Sequence, residues 1–323
     1  MVAATPKRTV AVYTDVSPEE DVAPGVSLLR SAGLQVRVLS TADTRRIAAN
    51  TDADFLLVGY SRVGPELLAC LPRLRGVATR SVGTDMVDTR AAAARGVHVG
   101  HLPDVATEEV ATHTVALALA AVRGVVFFDR ATMVGRWEPS TEVLRRPSLL
   151  TWGVVGLGRI GRAVADRARH LVGDVVGFDP ALDARAWPSG VERATALAAL
   201  LGRADIVSLH LPLTEETAGL IGSEQFAVMK PGTVLINVAR GGVVDETALL
   251  EALDRGLVDA AALDVLRHEP PAADDPLLKH PRTIVTPHVA YLSRESAAAA
   301  VRAQAQQVLR WVDEVSHPGK TPT

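Results

Sequence analysis

The chain has 323 residues, 48% of them apolar, a formal charge of −3 and one cysteine. That length and apolar content suffice for two sizeable cores. The charge excludes the basic face that nucleic acid or an anionic membrane requires, the lone cysteine excludes an intrachain disulfide, and no apolar run reaches the ~18 residues of a membrane span.

The N-terminal sequence MVAATPKRTVAVYTD runs directly into a strand pattern rather than a signal peptide, so a cytosolic protein is expected. Short apolar runs then alternate with helical ones. Strands are predicted at 9–13, 35–39, 55–58 and 76–79, with helices around 28–32, 45–49 and 66–71. Cys70 falls in the last of these, ELLACL, and is expected to be a small buried hydrophobe. A long, mostly apolar helix is predicted over 106–122. The strand–helix rhythm resumes with strands at 153–155, 175–178, 206–209, 234–238, 261–264 and 284–286. A last long helix covers 293–315, with Ser293 placed to cap it, and HPGKTPT at 317–323 is expected to fray. Two such sets predict an α/β protein of two doubly wound parallel-sheet domains.

The stretch TWGVVGLGRIG at 151–161 carries the most information. A strand is followed by Gly156-x-Gly158-x-x-Gly161 and a helix, and Asp179 ends the next strand. This is the dinucleotide-binding fingerprint in its required context. Gly156 permits the turn, Gly158 lets the backbone approach a pyrophosphate, and Gly161 allows close helix packing. The helix N-terminus favours the phosphates. The Asp179 carboxylate accepts hydrogen bonds from ribose hydroxyls and repels a 2′-phosphate, which predicts NAD as the cofactor.

Further on, three polar residues follow predicted strands. Arg240 ends VLINVAR, Glu269 lies in DVLRHEP and His288 follows IVTP. In a doubly wound sheet these ends face the ligand crevice. An arginine there can hold a carboxylate with its planar fork, and a histidine can move a proton near neutral pH. A carboxylate paired with that histidine favours its charged form and fixes its orientation. Taken singly, Arg240 also suits a solvated loop, Glu269-Pro270 a plain turn, and His288 a satisfied loop position. His98, His101, His113, His170, His210, His280 and His317 show no ligand-like grouping, His268 is expected to point away from its neighbour Glu269, and no metal site is indicated.

With these motifs in hand, the chain resembles the D-isomer-specific 2-hydroxyacid dehydrogenase family. The resemblance is carried by SVGTDMVD, GVVGLGRIGRAVA, LHLPLTEETAGLI, MKPGTVLINVARGGVVDETAL, AALDVLRHEP and TPHVAY, and covers about residues 50–312. It implies that Arg240 anchors the substrate and that Glu269 and His288 form the acid–base pair. It also implies that Ser81, Val82 and Gly83 hold the substrate carboxylate; Tyr291, three residues after His288, suits either a place near the substrate side chain or a packing aromatic. The same resemblance places Arg159, Ile160, Pro212, Thr217, Val238, Ala239 and Asp264 around the cofactor, Asp264 near the nicotinamide amide. The family's VAEHT motif has Thr112 where Glu is usual. The implied fold inserts a Rossmann cofactor domain (102–289) into a flavodoxin-like substrate domain (1–101 and 290–323).

The implied activity is NADH-dependent reduction of a small 2-oxo acid to the D-2-hydroxy acid, in a homodimer formed through the cofactor domains. The motifs are most similar to those of the D-lactate dehydrogenases linked to vancomycin resistance and of the glyoxylate and hydroxypyruvate reductases. The lysine expected for phosphite oxidation is absent from RSVGTD. A second class stays open: the C-terminal-binding-protein co-repressors share this fold and use the dinucleotide to control assembly.

Overall fold

A computed structural model describes residues 8–102, 104–140 and 144–316, and the expected frayed tail at 317–323 lies outside them. The chain divides into two compact units, Met1–Val105 with Ser293–Thr323, and Ala106–Leu292. The second is therefore inserted in the first, with junctions at 105/106 and 292/293 where the sequence suggested 101/102 and 289/290.

In the first unit the described strands are β1 (Val10–Tyr13), β2 (Gln35–Val38), β3 (Phe55–Val58), β4 (Gly76–Thr79) and β5 (His98–Gly100). Between them lie α1 (Ala23–Ser31), α2 (Thr44–Ala48), α3 (Pro65–Cys70) and α4 (Thr89–Ala94). The sheet is parallel in the order β2-β1-β3-β4-β5. Its central strands are buried on both faces, which is why VAVY and FLLV are continuous apolar runs. Alternate side chains serve opposite cores. Val10, Val12, Leu56 and Val58 meet Ile47, Leu67, Leu68 and Leu71, while Ala11, Tyr13, Phe55 and Leu57 meet Val26, Leu29, Val301, Val308 and Trp311. The Asp43 and Asp88 carboxylates cap α2 and α4 by accepting backbone N–H bonds.

The second unit begins with α5 (Thr107–Val122) and α6 (Val125–Met133). Its sheet uses β6 (Thr151–Val155), β7 (Asp174–Phe178), β8 (Glu192–Arg193), β9 (Ile206–Leu209), β10 (Thr233–Asn237), β11 (Val258–Leu263) and β12 (Thr283–Val285). The connecting helices are α7 (Arg159–Ala168), α8 (Leu197–Leu201), α9 (Ser223–Val228), α10 (Glu246–Asp254) and α11 (Pro276–Lys279). The strands are parallel in the order β12-β11-β10-β9-β6-β7-β8. The chain enters at β6, steps outward to β7 and β8, then returns to β9 on the other side. That reversal makes the β6/β9 boundary the switch point, and its ligand crevice lies at the C-terminal strand ends. Helix α5 packs against α7, β10 and β11. At the opposite edge the buried Asp205 carboxylate accepts the Thr151 N–H at 2.9 Å, pairs with Lys230 at 2.7 Å and binds Arg145. Asp54 does the same in the first unit with the Val10 N–H and Arg73.

The final helix, α12 (Arg294–Ser316), returns to the first unit and packs on α1, β3 and β4. Ser293 caps it, its Oγ accepting the Ser296 N–H at 2.9 Å. Among the described residues no single helix is long and apolar enough to cross a membrane. One expectation is corrected: Cys70 is exposed. The buried stripe of α3 is Leu67, Leu68 and then Leu71, and Cys70 falls roughly a quarter-turn off it, as helical geometry of about 100° per residue dictates.

Candidate functional site

In the second unit the C-terminal strand ends gather most of the residues singled out in the sequence. After β6, Gly156 adopts φ +89° and Gly158 becomes the N-cap of α7. A Cβ on Gly161 would lie 1.9 Å from the Gly156 carbonyl, so only glycine lets α7 start this close to the turn. A Cβ on Gly158 would meet nothing within 4 Å, so the start of α7, with Arg159 exposed and Ile160 half-buried, is open to a ligand. After β7, the Asp179 carboxylate accepts N–H bonds from Leu157 at 2.8 Å and Ala181 at 3.0 Å, which sets it beside the glycine turn. After β9, Thr217 donates to the Pro212 carbonyl at 2.6 Å and accepts the Thr214 N–H, closing a turn. Open backbone donors at a helix start, with a carboxylate at the neighbouring strand end, fit a dinucleotide pyrophosphate and ribose.

The chemical groups follow β10, β11 and β12. Buried Asn237 ends β10; its side chain donates to the Arg240 carbonyl and accepts the Ala239 N–H, both at 3.0 Å, and so shapes the turn carrying Val238, Ala239 and Arg240. A Cβ on Gly241 would lie 2.0 Å from the Leu266 carbonyl carbon. This contact nests the Arg240 turn on the segment that leads to Glu269. Glu269 accepts the Leu266 N–H at 2.9 Å through Oε1, and its Oε2 lies 2.6 Å from His288 Nδ1. Burial pushes the Glu269 carboxyl up. The hydrogen bonds from His288 and Leu266, with the charges of His288 and Arg240, outweigh that and hold it below the usual carboxylate range. Glu269 is therefore ionised at neutral pH and His288 keeps Nε2 for other work. The Tyr291 ring meets the His288 ring edge-on, with centroids 6.1 Å apart.

The first unit carries Ser81, Val82 and Gly83 after β4. Thr79 Oγ1 lies near the Ser81, Gly83 and Gly100 carbonyls, and Ser81 Oγ donates to the Gly83 carbonyl at 2.5 Å. The neighbouring cation, Arg80, is almost buried and committed to Glu20 at 2.9 Å and Asp15 at 3.8 Å.

Residues 115–290 match the family model described as D-isomer specific 2-hydroxyacid dehydrogenase, NAD binding domain. The chain belongs to the D-isomer specific 2-hydroxyacid dehydrogenase family. A D-3-phosphoglycerate dehydrogenase of Mycobacterium tuberculosis is 42% identical over 86% of this chain and 53% of its own length. A glyoxylate/hydroxypyruvate reductase B of Klebsiella pneumoniae is 41% identical over 78% of this chain and 81% of its own. The D-lactate dehydrogenase of Aquifex aeolicus, solved with NAD and lactic acid, shares the fold at a TM-score of 0.81, with 31% identity and 95% of each chain covered. The chain spans about half the length of the phosphoglycerate dehydrogenases it matches. Its family motif departs at Thr112, which is exposed on α5.

Two histidines that stand out little in the sequence are woven into this region. His113 on α5 reaches Thr286 Oγ1 at 3.1 Å. His210, after β9, reaches Ser208 Oγ at 3.0 Å, which in turn accepts the Trp152 indole N–H at 2.9 Å. Burial pushes the His210 imidazole down to about 3. Unfolding returns it to its ordinary 6.5, so the unfolded chain binds the extra proton between the two values. Stability is therefore lost as pH falls through that window, and a melting series from pH 7 to 4 should show His210→Gln losing less Tm than wild type. For the nested turns, Gly241→Ala should cost about 1–3 kcal/mol, the range for overpacking, measured by urea unfolding.

Proposed function

We propose that the protein is an NADH-dependent reductase of short 2-oxo acids that forms the D-2-hydroxy acid. The observation that carries this reading is the His288–Glu269 pair at 2.6 Å, beside the Arg240 turn on the same strand-end face. The α7 N-terminus and Gly156–Gly161 turn would hold the pyrophosphate and Asp179 the ribose, with Pro212, Thr217, Val238 and Ala239 completing the cofactor site, while buried Asp264 is spent on the turn beyond β12. When bound, the cofactor supplies the hydride. His288 donates its Nε2 proton to the oxygen of the reduced carbonyl. Glu269 holds the ring through Nδ1 and so aims Nε2 at the oxygen that takes the proton. Arg240 binds the substrate carboxylate with two parallel N–H bonds. Family membership supports the D hand.

One feature supports a short, uncharged side chain: Tyr291 presents an aromatic edge at His288. A charge buried without a partner is costly, so dicarboxylate and phosphorylated substrates are disfavoured. Glyoxylate and hydroxypyruvate belong to the same reading, because the reductase relative named for them is covered over 81% of its length.

Loss of NADH absorbance with pyruvate, 2-oxobutyrate, glyoxylate, hydroxypyruvate, oxaloacetate and 3-phosphohydroxypyruvate tests the proposal. The highest kcat/KM is expected among the first four. His288→Ala should lower kcat by roughly 10²–10⁴ while NADH still binds, and Arg240→Lys should raise KM for the 2-oxo acid, since an ammonium cannot form the bidentate fork. Absence of turnover with every acid would overturn the enzyme reading.

We also infer a homodimer through the second unit. Helix α6 buries none of its residues. With the segment after it, α6 exposes Val125, Phe127, Val134, Met133 at 80% and Trp137 at 87%, large apolar side chains of the kind that an interface covers. Light scattering should give twice the chain mass, and Trp137→Glu should shift it toward the monomer.

A further inference from the structure

We propose that His113 is a positioning residue for the proton-transfer step, holding through Thr286 and Asp264 the turn that presents His288. The inference rests on the acid–base role of His288 given above.

His288 has φ +52°, a left-handed backbone that non-glycine residues adopt only when their surroundings hold them there. The holding contacts converge on one side chain. Asp264 follows β11 and is 1% exposed. Its carboxylate accepts the Val289 and Ala290 N–H groups, both at 2.9 Å, and the Thr286 hydroxyl at 2.5 Å. Its main-chain carbonyl accepts the His288 N–H at 2.9 Å. The turn from 286 to 290 is thus wrapped around Asp264 on both sides of His288.

The hydroxyl of Thr286 has one proton, and Asp264 takes it. What Thr286 offers His113 is therefore a lone pair, so His113 Nε2–H is the donor at 3.1 Å. The same nitrogen lies 3.6 Å from Asp264 Oδ1. His113 thereby fixes the Thr286 rotor and adds a donor to the crowded side of the buried carboxylate. It does so from α5, whose Val110, Ala111 and Thr114 are buried against the sheet. The turn is pinned to a packed helix 173 residues away in sequence rather than to its own strand. With the donor removed, Thr286 is free to rotate off Asp264, and the His288 backbone can relax and carry its ring away from Glu269.

The test compares His113→Leu, which removes the donor, with His113→Gln, which keeps an N–H. His113→Leu should lower kcat about ten- to a hundredfold, the scale of a small misplacement of a reacting group. KM for NADH should change little, and His113→Gln should recover most of the loss. Thr286→Val breaks the same chain from its middle, so the double variant should be no worse than either single one. Hydrogen–deuterium exchange read by mass spectrometry supplies a measure that needs no turnover. Exchange over 286–292 should quicken in His113→Leu while β6, β9 and β10 keep their protection. If wild type reduces no 2-oxo acid yet this local quickening occurs, the positioning contact stands and the assigned reaction fails. Wild-type kcat with unchanged exchange would overturn the proposal, as would loss of protection across the whole unit, which would mark His113 as a general packing residue.

Discussion

A carboxylate taken out of water must have its lone pairs filled by donors, and Asp264 meets that demand with the backbone of the turn beyond β12. Two N–H groups and a hydroxyl are drawn to it. The conformation of His288 is therefore dictated from the end of a neighbouring strand. Asn237 has the matching role on the adjacent strand, where its amide brackets the Arg240 turn. Adjacent parallel strands thus end in polar side chains spent on the main chain of the next loop. The groups left for chemistry hang from loops that have little freedom of their own.

Electrostatics follow from that scaffolding. Glu269 is half-buried, which alone would favour its neutral form, yet His288, Arg240 and the Leu266 N–H keep it charged. The anion orients an imidazole whose far nitrogen is then available. The first unit is organised by similar means, since the Thr79 hydroxyl sits among the Ser81 and Gly83 loop carbonyls and that of Gly100 in β5, and Arg80 is neutralised beside the 81–83 loop. In both units the acidic residue at the opposite sheet edge, Asp54 or Asp205, is paired with cations and a strand N–H.

The strands buried on both faces were the most legible elements in the sequence. Phe55–Val58 and Ile206–Leu209 stand where their apolar runs predict. The edge strands β5 and β8 were not legible. HVG is too short for a pattern, and Glu192–Arg193 is exposed and becomes a strand only by pairing with β7. Cys70 was misread because an apolar run was taken as wholly buried, whereas a helix buries only a stripe. Arg240, Glu269 and His288 could be singled out because each follows a recognisable strand. His113 could not, because its meaning lies in a hydroxyl on a distant loop, and His210 could not, because its partners Ser208 and Trp152 are joined only by sheet register. Periodicity reports which face a residue takes, but not which polar atom waits there.

The contact between Gly241 and the Leu266 carbonyl has a consequence for how such chains diversify. Two loops resting on each other without an intervening side chain cannot be lengthened or rebuilt one at a time, because any insertion in one displaces the other. Descendants of this sequence that acquire new preferences are then constrained to alter the periphery: half-buried Tyr291, or the turn from Pro212 to Thr217. The Arg240 turn and the segment leading to Glu269 would be inherited together as a single block, and variety would accumulate around them.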